Sequence, residues 1–215
     1  MAYPTVSAPY GLKPINLIGG QVFAGATRQI PIASGYNTNI FNGDVVHLVS
    51  AGTLEKDTGT STATPVGVFL GCTYTDPVLK YKLYSQYYPA NTSASDIMAF
   101  VADDPDQLFK IALVSGTTVI AGLGRTVVGS NLALVQNAGS TTTGDSAVAA
   151  LTTSSATTAS LPLRVIDVVP DTATGTDTFV EVIVKWNAPY FTLAEGAPNT
   201  ITWAGGHQYL NPLGV

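Results

Sequence analysis

Residues 40–70, IFNGDVVHLVSAGTLEKDTGTSTATPVGVFL, constrain this chain more than any other stretch, because they spell short β-branched runs broken by turn residues. Asn42-Gly43 supplies a turn, since both residues tolerate positive φ. Val45 to Val49 then form a β-rich run, Gly52 bends the chain, and Pro65-Val66-Gly67-Val68-Phe69-Leu70 restarts as a second strand. Residues 55–64 between them carry nothing that builds a core. The same grammar repeats along the chain, and no convincing helix exceeds ten residues. An all-β fold follows.

Composition narrows the function classes. The 215 residues hold nine basic and fourteen acidic side chains, a net charge of −5, and only 11% are charged against about 25% in ordinary domains. Phosphate backbones are bound by clustered Lys and Arg, and here the closest basic pair is Lys80 and Lys82, which argues against direct nucleic-acid binding. A surface rich in Thr, Ser, Gly, Ala and Tyr but poor in ions suits a protein locked into a larger assembly better than a solitary one. The single cysteine, Cys72, excludes an internal disulfide framework and reads as a small buried hydrophobe. No basic and apolar leader opens the sequence and no run approaches ~18 apolar residues, so neither a secretory signal nor a membrane span is expected.

Five regions follow in order. Residues 1–20 read as an extended N-terminal arm: Pro4, Pro9 and Pro14 punctuate it and forbid a helix or a central strand, while Tyr3, Tyr10, Leu12 and Ile15 need burial. Residues 21–136 form a β-rich domain. Within it, IMAFVA (97–102) and LFKIALV (108–114) flank Asp103-Asp104-Pro105-Asp106 as the clearest hairpin-like pair, and PVLKYKLYSQYY (77–88) is an aromatic segment suited to a contact surface or a core. Residues 137–160 are Thr/Ser-rich, a long loop or a short helix over residues 145–151. Residues 161–186 complete the body with the two best strands, LRVIDVV and FVEVIVKW; in the second, Val180, Val182, Val184 and Trp186 make one wholly apolar face. Residues 187–215 mirror the start as a C-terminal arm, with Tyr190, Phe191, Trp203, Tyr209 and Leu210 scattered among prolines.

Chemistry is hard to find. No nucleophile elbow, zinc helix, phosphate loop or paired-cysteine motif is present. His47, His207 and Cys72 are too few for a zinc site unless all three converge, and Asp103, Asp104 and Asp106 lack the calcium-loop pattern and read as a solvated turn. No catalytic residue, metal site or cofactor is therefore expected.

The run Asn42-Gly43-Asp44, Val45-Val46-His47-Leu48, Gly52, the Thr/Ser loop and Pro65-Val66-Gly67-Val68-Phe69 resembles virion structural proteins of tailed bacteriophages. The opening TVSAPYGLKPINLIGGQVFAGATRQIPIASGY and the endings KWNAPY and HQYLNPLGV look like cyanophage-type versions of them. Among such proteins, the GDVVHL and PVGVF pieces resemble the small β-barrel or β-tulip domain of capsid decoration (cement) proteins. That resemblance implies an all-β body, a small β-barrel of β-tulip type; the chain departs from the smallest members of the family by its length and its irregular N- and C-terminal arms, which leaves room for two β subdomains and for an oligomeric state other than three. It implies no catalytic residue, a major capsid protein as partner, self-association as a trimer, and no direct contact with nucleic acid or membrane. The place would be the outer surface of the virion, after assembly in the host cytoplasm. Candidate capsid or inter-subunit contacts are Tyr3, Tyr10, Leu12, Ile15, Tyr190, Phe191, Trp203, Tyr209 and Leu210. The alternatives are a tail, neck or receptor-binding component, favoured by an exposed aromatic groove over residues 80–88, and a polysaccharide hydrolase, favoured by two carboxylates facing each other across a pocket.

Overall fold

The computed structural model describes residues 6–172, 180–193 and 201–212, and it is built from strands and short 3-10 turns. Two sheets organise it, one of them nearly closed into a barrel.

The barrel forms around β8 (Gln107–Val114), where every second side chain points inward, so that Phe109, Ile111 and Leu113 are fully buried. β13 (Glu181–Trp186) runs antiparallel to it and contributes Val182, Val184 and Trp186 to the same interior. β12 (Leu163–Val168) follows, antiparallel to β13, with a register shift between Val165 and Asp167. That bulge resets the alternation, which is why Leu163, Val165 and then Val168 face the core. β9 (Asn131–Leu132) pairs with β12, and β10 (Leu134–Val135) pairs with β11 (Ala149–Leu151), which runs parallel to β8 on its other side. Only Ala133 separates β9 from β10, so the two ends of the sheet are one residue apart and the ring almost closes. The backbone at this corner is satisfied: Leu151 N–H donates to the Ala133 carbonyl (3.0 Å) and Ala133 N–H to Ser154 Oγ (2.8 Å).

The second sheet is centred on β5 (Gly67–Thr75). β7 (Met98–Ala102) flanks it on one side, with β2 (Arg28–Pro31) beyond. On the other side β3 (Val45–Leu48) pairs near the start of β5 and β6 (Lys82–Ser85) near its end, and β4 (Leu54–Lys56) lies outside β3. One face of this sheet sends Val45, Val68 and Ala102 into the barrel's core, while the other sends Val46, Phe69, Cys72 and Val101 into a separate core closed by Ile40, Tyr88 and Ile97. A central sheet buried on both faces explains the near-continuous apolar run Val66-Gly67-Val68-Phe69. The turn before β3 forms as the sequence predicts: Asp44 N–H donates to the Phe41 carbonyl (2.9 Å) and Gly43 takes φ 97°.

Three expectations are revised. Residues 97–102 and 108–114 are strands but not a hairpin: β7 belongs to the second sheet and β8 to the barrel, so the acidic turn crosses between layers. Residues 145–151 form no helix. Val148, Ala149 and Ala150 are fully buried, and strand β11 exists because β8 offers it an edge. In the expected N-terminal arm, β1 (Lys13–Leu17) pairs antiparallel with β8 and shares with β11 the same edge of that strand. Leu12 lies fully buried in the barrel core, where Phe109 and Val148 also lie, so this part of the arm serves its own body. Pro14 is tolerated because β1 is an edge strand.

The C-terminal region carries an antiparallel pair, β14 (Tyr190–Leu193) with β15 (Ile201–Ala204). After it, residues 207–211 turn back onto the body. Gln208 N–H donates to the Pro65 carbonyl (2.8 Å), and its side-chain amide bonds Leu48 in both directions, accepting from the N–H (2.7 Å) and donating to the carbonyl (3.0 Å). A glutamine thereby supplies the ladder bonds that a neighbouring strand would give β3.

Candidate interaction surfaces

Buried polar groups are where catalytic chemistry usually hides, and here they hold the fold together. Asp44, fully buried, accepts from Lys56 Nζ (2.8 Å), Ser146 Oγ (2.6 Å) and Phe41 N–H (2.9 Å). Asp57 accepts from the N–H groups of Gly59 and Thr64, both at 2.8 Å, and so orders the polar loop before β5. Glu181 sits inside β13 with Lys110 Nζ at 3.2 Å and the Tyr10 hydroxyl donating to it. Burial and the Glu181 carboxylate together push the Tyr10 hydroxyl pKa far up, so it stays protonated as a donor.

The residues weighed for metal or nucleophilic roles are dispersed. Among the described residues no group of three or more His, Cys, Asp or Glu side chains is placed to hold a metal ion. Burial raises the Cys72 thiol to about 12, which leaves it an inert core residue. The acidic turn divides its carboxylates: Asp103 pairs with Arg28 (2.7 Å) and accepts from Tyr209 Oη (2.9 Å), Asp104 caps the Asp106 N–H (2.8 Å), and Asp106 meets Lys185 (3.2 Å). A crease of about 630 Å³ lies between residues 6–10 and the 138–147 loop, and its charges are matched locally, Lys13 with Asp145 (3.5 Å) and Lys110 with Glu181.

Burial perturbs His207. It is fully buried at the base of the C-terminal turn, where its Nδ1 accepts from Tyr209 N–H (3.3 Å). Burial lowers its pKa to about 4, outweighing Asp103, Asp104 and the Val66 backbone, which all favour the charged form. Below the ordinary histidine value of about 6.5 the unfolded chain binds a proton that the folded chain refuses. The contribution of His207 to stability is therefore fully present above pH 6.5 and is lost, to the extent of about 3 kcal/mol, as pH drops to about 4. In His207→Asn, which keeps an acceptor for Tyr209, the dependence of Tm on pH between those values should flatten; an unchanged slope would assign it to other groups.

The sequence-derived contact residues scatter in their fates. Tyr3 lies outside the described residues, as does the side chain of Trp203, whose backbone belongs to β15. Tyr10 bonds Glu181, Leu12 is core, and Ile15 and Tyr190 are half-buried. Phe191, Tyr209 and Leu210 are exposed, although Tyr209 also carries the Arg28 guanidinium over its ring at 5.3 Å. Among the described residues, four exposed large apolar side chains fall elsewhere, on the hairpin between β5 and β6: Val78, Leu79, Tyr81 and Tyr84. The sequence flagged this segment through its tyrosines. Val78 and Leu79 gave no periodic signal, because they occupy a turn.

The chain matches no protein-family model, no curated protein and no solved structure.

Proposed function

We propose that this protein is a capsid decoration protein of a tailed bacteriophage, a cement subunit of β-tulip type that binds the outer face of an icosahedral head and braces contacts between major capsid subunits. The observation that carries this reading is the division of labour among side chains: the buried carboxylates Asp44 and Glu181 are engaged by lysines in bonds that tie segments together, while large apolar residues stand exposed, Val78 and Leu79 in the turn between β5 and β6 among them. A protein built so is rigid and adhesive. The resemblance of residues 5–69 to phage virion proteins gives that adhesion its partner. Many weak contacts repeated over a symmetric shell add through avidity, and selective binding to the assembled lattice stabilises it by linkage. Self-association, as a trimer, and residence on the virion exterior belong to the same reading, which assigns no catalytic role.

Purified protein mixed with heads that lack it should bind saturably, at a fixed ratio to the major capsid protein, and raise the temperature at which the shells disrupt. Binding to tails or host cells with none to heads would instead support the tail or receptor-binding reading, to which the exposed Tyr81 and Tyr84 also lend themselves.

A further inference from the structure

The β5–β6 hairpin is a preorganised tip. Asp76 Oδ1 accepts from the N–H groups of Val78 and Leu79, both at 2.7 Å; Lys80 N–H donates to the Asp76 carbonyl (3.0 Å) and Asp76 N–H to the Tyr81 carbonyl (2.9 Å). The turn therefore holds its shape without being covered. It displays Val78 at 80% exposure, Leu79 at 62% and Tyr81 at 50%, and Tyr84 at 76% stacks on Phe100 with ring centroids 6.5 Å apart. Contiguous exposure of this kind marks interaction sites, whereas single exposed apolar residues do not.

Charge specifies the partner. Of the nine Lys and Arg side chains, six form ion pairs and Arg164 bonds Asn131. The remaining two, Lys80 and Lys82, form no ion pair among the described residues, and both sit on this hairpin; Lys82 exerts only a minor attraction on Asp96. In a chain of net charge −5, the two lysines without an ion pair stand beside the exposed apolar residues, while the neighbouring carboxylates are held by hydrogen bonds, Asp76 by the Val78 and Leu79 N–H groups and Asp96 by Thr75. Lysine on an edge strand guards against aggregation, but a guard alone would not be ringed by Val78, Leu79 and Tyr81. Two cations fall short of the roughly four to eight that mark anionic-lipid binding, and of the clustered charge that phosphate backbones need. Aliphatic Val78 and Leu79 offer nothing to a sugar.

We infer that this hairpin is a docking finger for an apolar groove rimmed by carboxylates on a partner protein. Resting on the cement reading, that partner is a subunit of the shell. Lys80 and Lys82 meet the rim, Val78, Leu79 and Tyr81 fill the groove, and the outer edge of β6 is placed to extend a partner strand.

The test compares wild type with Lys80→Glu/Lys82→Glu, Leu79→Ser/Tyr84→Ser, and Val119→Ser, an exposed apolar residue on another loop, after thermal melts confirm that all fold. Shells lacking the protein, a soluble glutamate–tyrosine copolymer and phosphatidylglycerol vesicles serve as probes. Wild type should bind shells with an affinity that falls as salt rises, each hairpin double variant should lose roughly tenfold or more, and Val119→Ser should bind as wild type. Equal binding of all four to shells removes the docking finger and leaves the cement reading standing. No binding of any to shells, with salt-sensitive copolymer binding lost in Lys80→Glu/Lys82→Glu, removes the cement reading and leaves the finger. Vesicle binding without copolymer binding, or dimerisation abolished by Leu79→Ser/Tyr84→Ser while shell binding persists, overturns the proposed partner.

Discussion

Asp44→Ala should destabilise the protein by about 3–5 kcal/mol, the range for removing one partner of a buried ion pair. Three donors lose their acceptor at once: Lys56 Nζ, Ser146 Oγ and Phe41 N–H. The Lys56 side chain is only 10% exposed, so its ammonium would be left without a counter-ion and largely without water. Two long connections also fail together, since Asp44 opens β3 while Ser146 begins the segment that becomes β11. Denaturant melts of Asp44→Ala and of Asp44→Ala/Lys56→Met separate the contributions. The double variant removes the orphaned charge and should regain at least half of the loss; no recovery would mean that the Ser146 and Phe41 bonds carry the effect.

Trp186→Ala should cost a similar amount, about 3–5 kcal/mol, and lower Tm by on the order of 10 °C. Trp186 is among the largest fully buried side chains, packs against Phe109 with ring centroids 5.4 Å apart, and ends the strand that links β8 to β12. Truncation would leave a cavity in the barrel core beside Phe109. Trp186→Phe should lose less than half as much. A Trp186→Ala protein with near-native Tm would mean that the barrel interior repacks freely.

Most strands were legible before their pairing was. FVEVIVKW announces its buried face through period-two alternation, and Val182, Val184 and Trp186 do enter the core. Glu181 interrupts the rule from the opposite face: it is buried yet polar because Tyr10 and Lys110 meet it there. The acidic turn misled for a definable reason. Four residues between two strands satisfy a hairpin's length, but hairpin pairing also needs both strands in one sheet, and length does not report that. The contact residues fared unevenly for a related reason. Apolar residues between prolines show a need for burial without showing who provides it, and for Leu12 the provider was the chain's own β8 and β11 neighbourhood.

The sequence by itself determined the all-β class, the turn at Asn42-Gly43, the bend at Gly52, the strength of β5, β12 and β13, and the scarcity of chemical motifs. These depend on local backbone preference and side-chain alternation, which neighbouring residues set. Only the tertiary structure decided which strands share a sheet, that Ala149 and Ala150 join the barrel, that Asp44 is a buried anchor, and that Lys80 and Lys82 are left over on an apolar tip. Each of those is a balance between groups distant in sequence. Asp44 meets Ser146 across 102 positions, and a carboxylate acquires its role from partners that local sequence does not name.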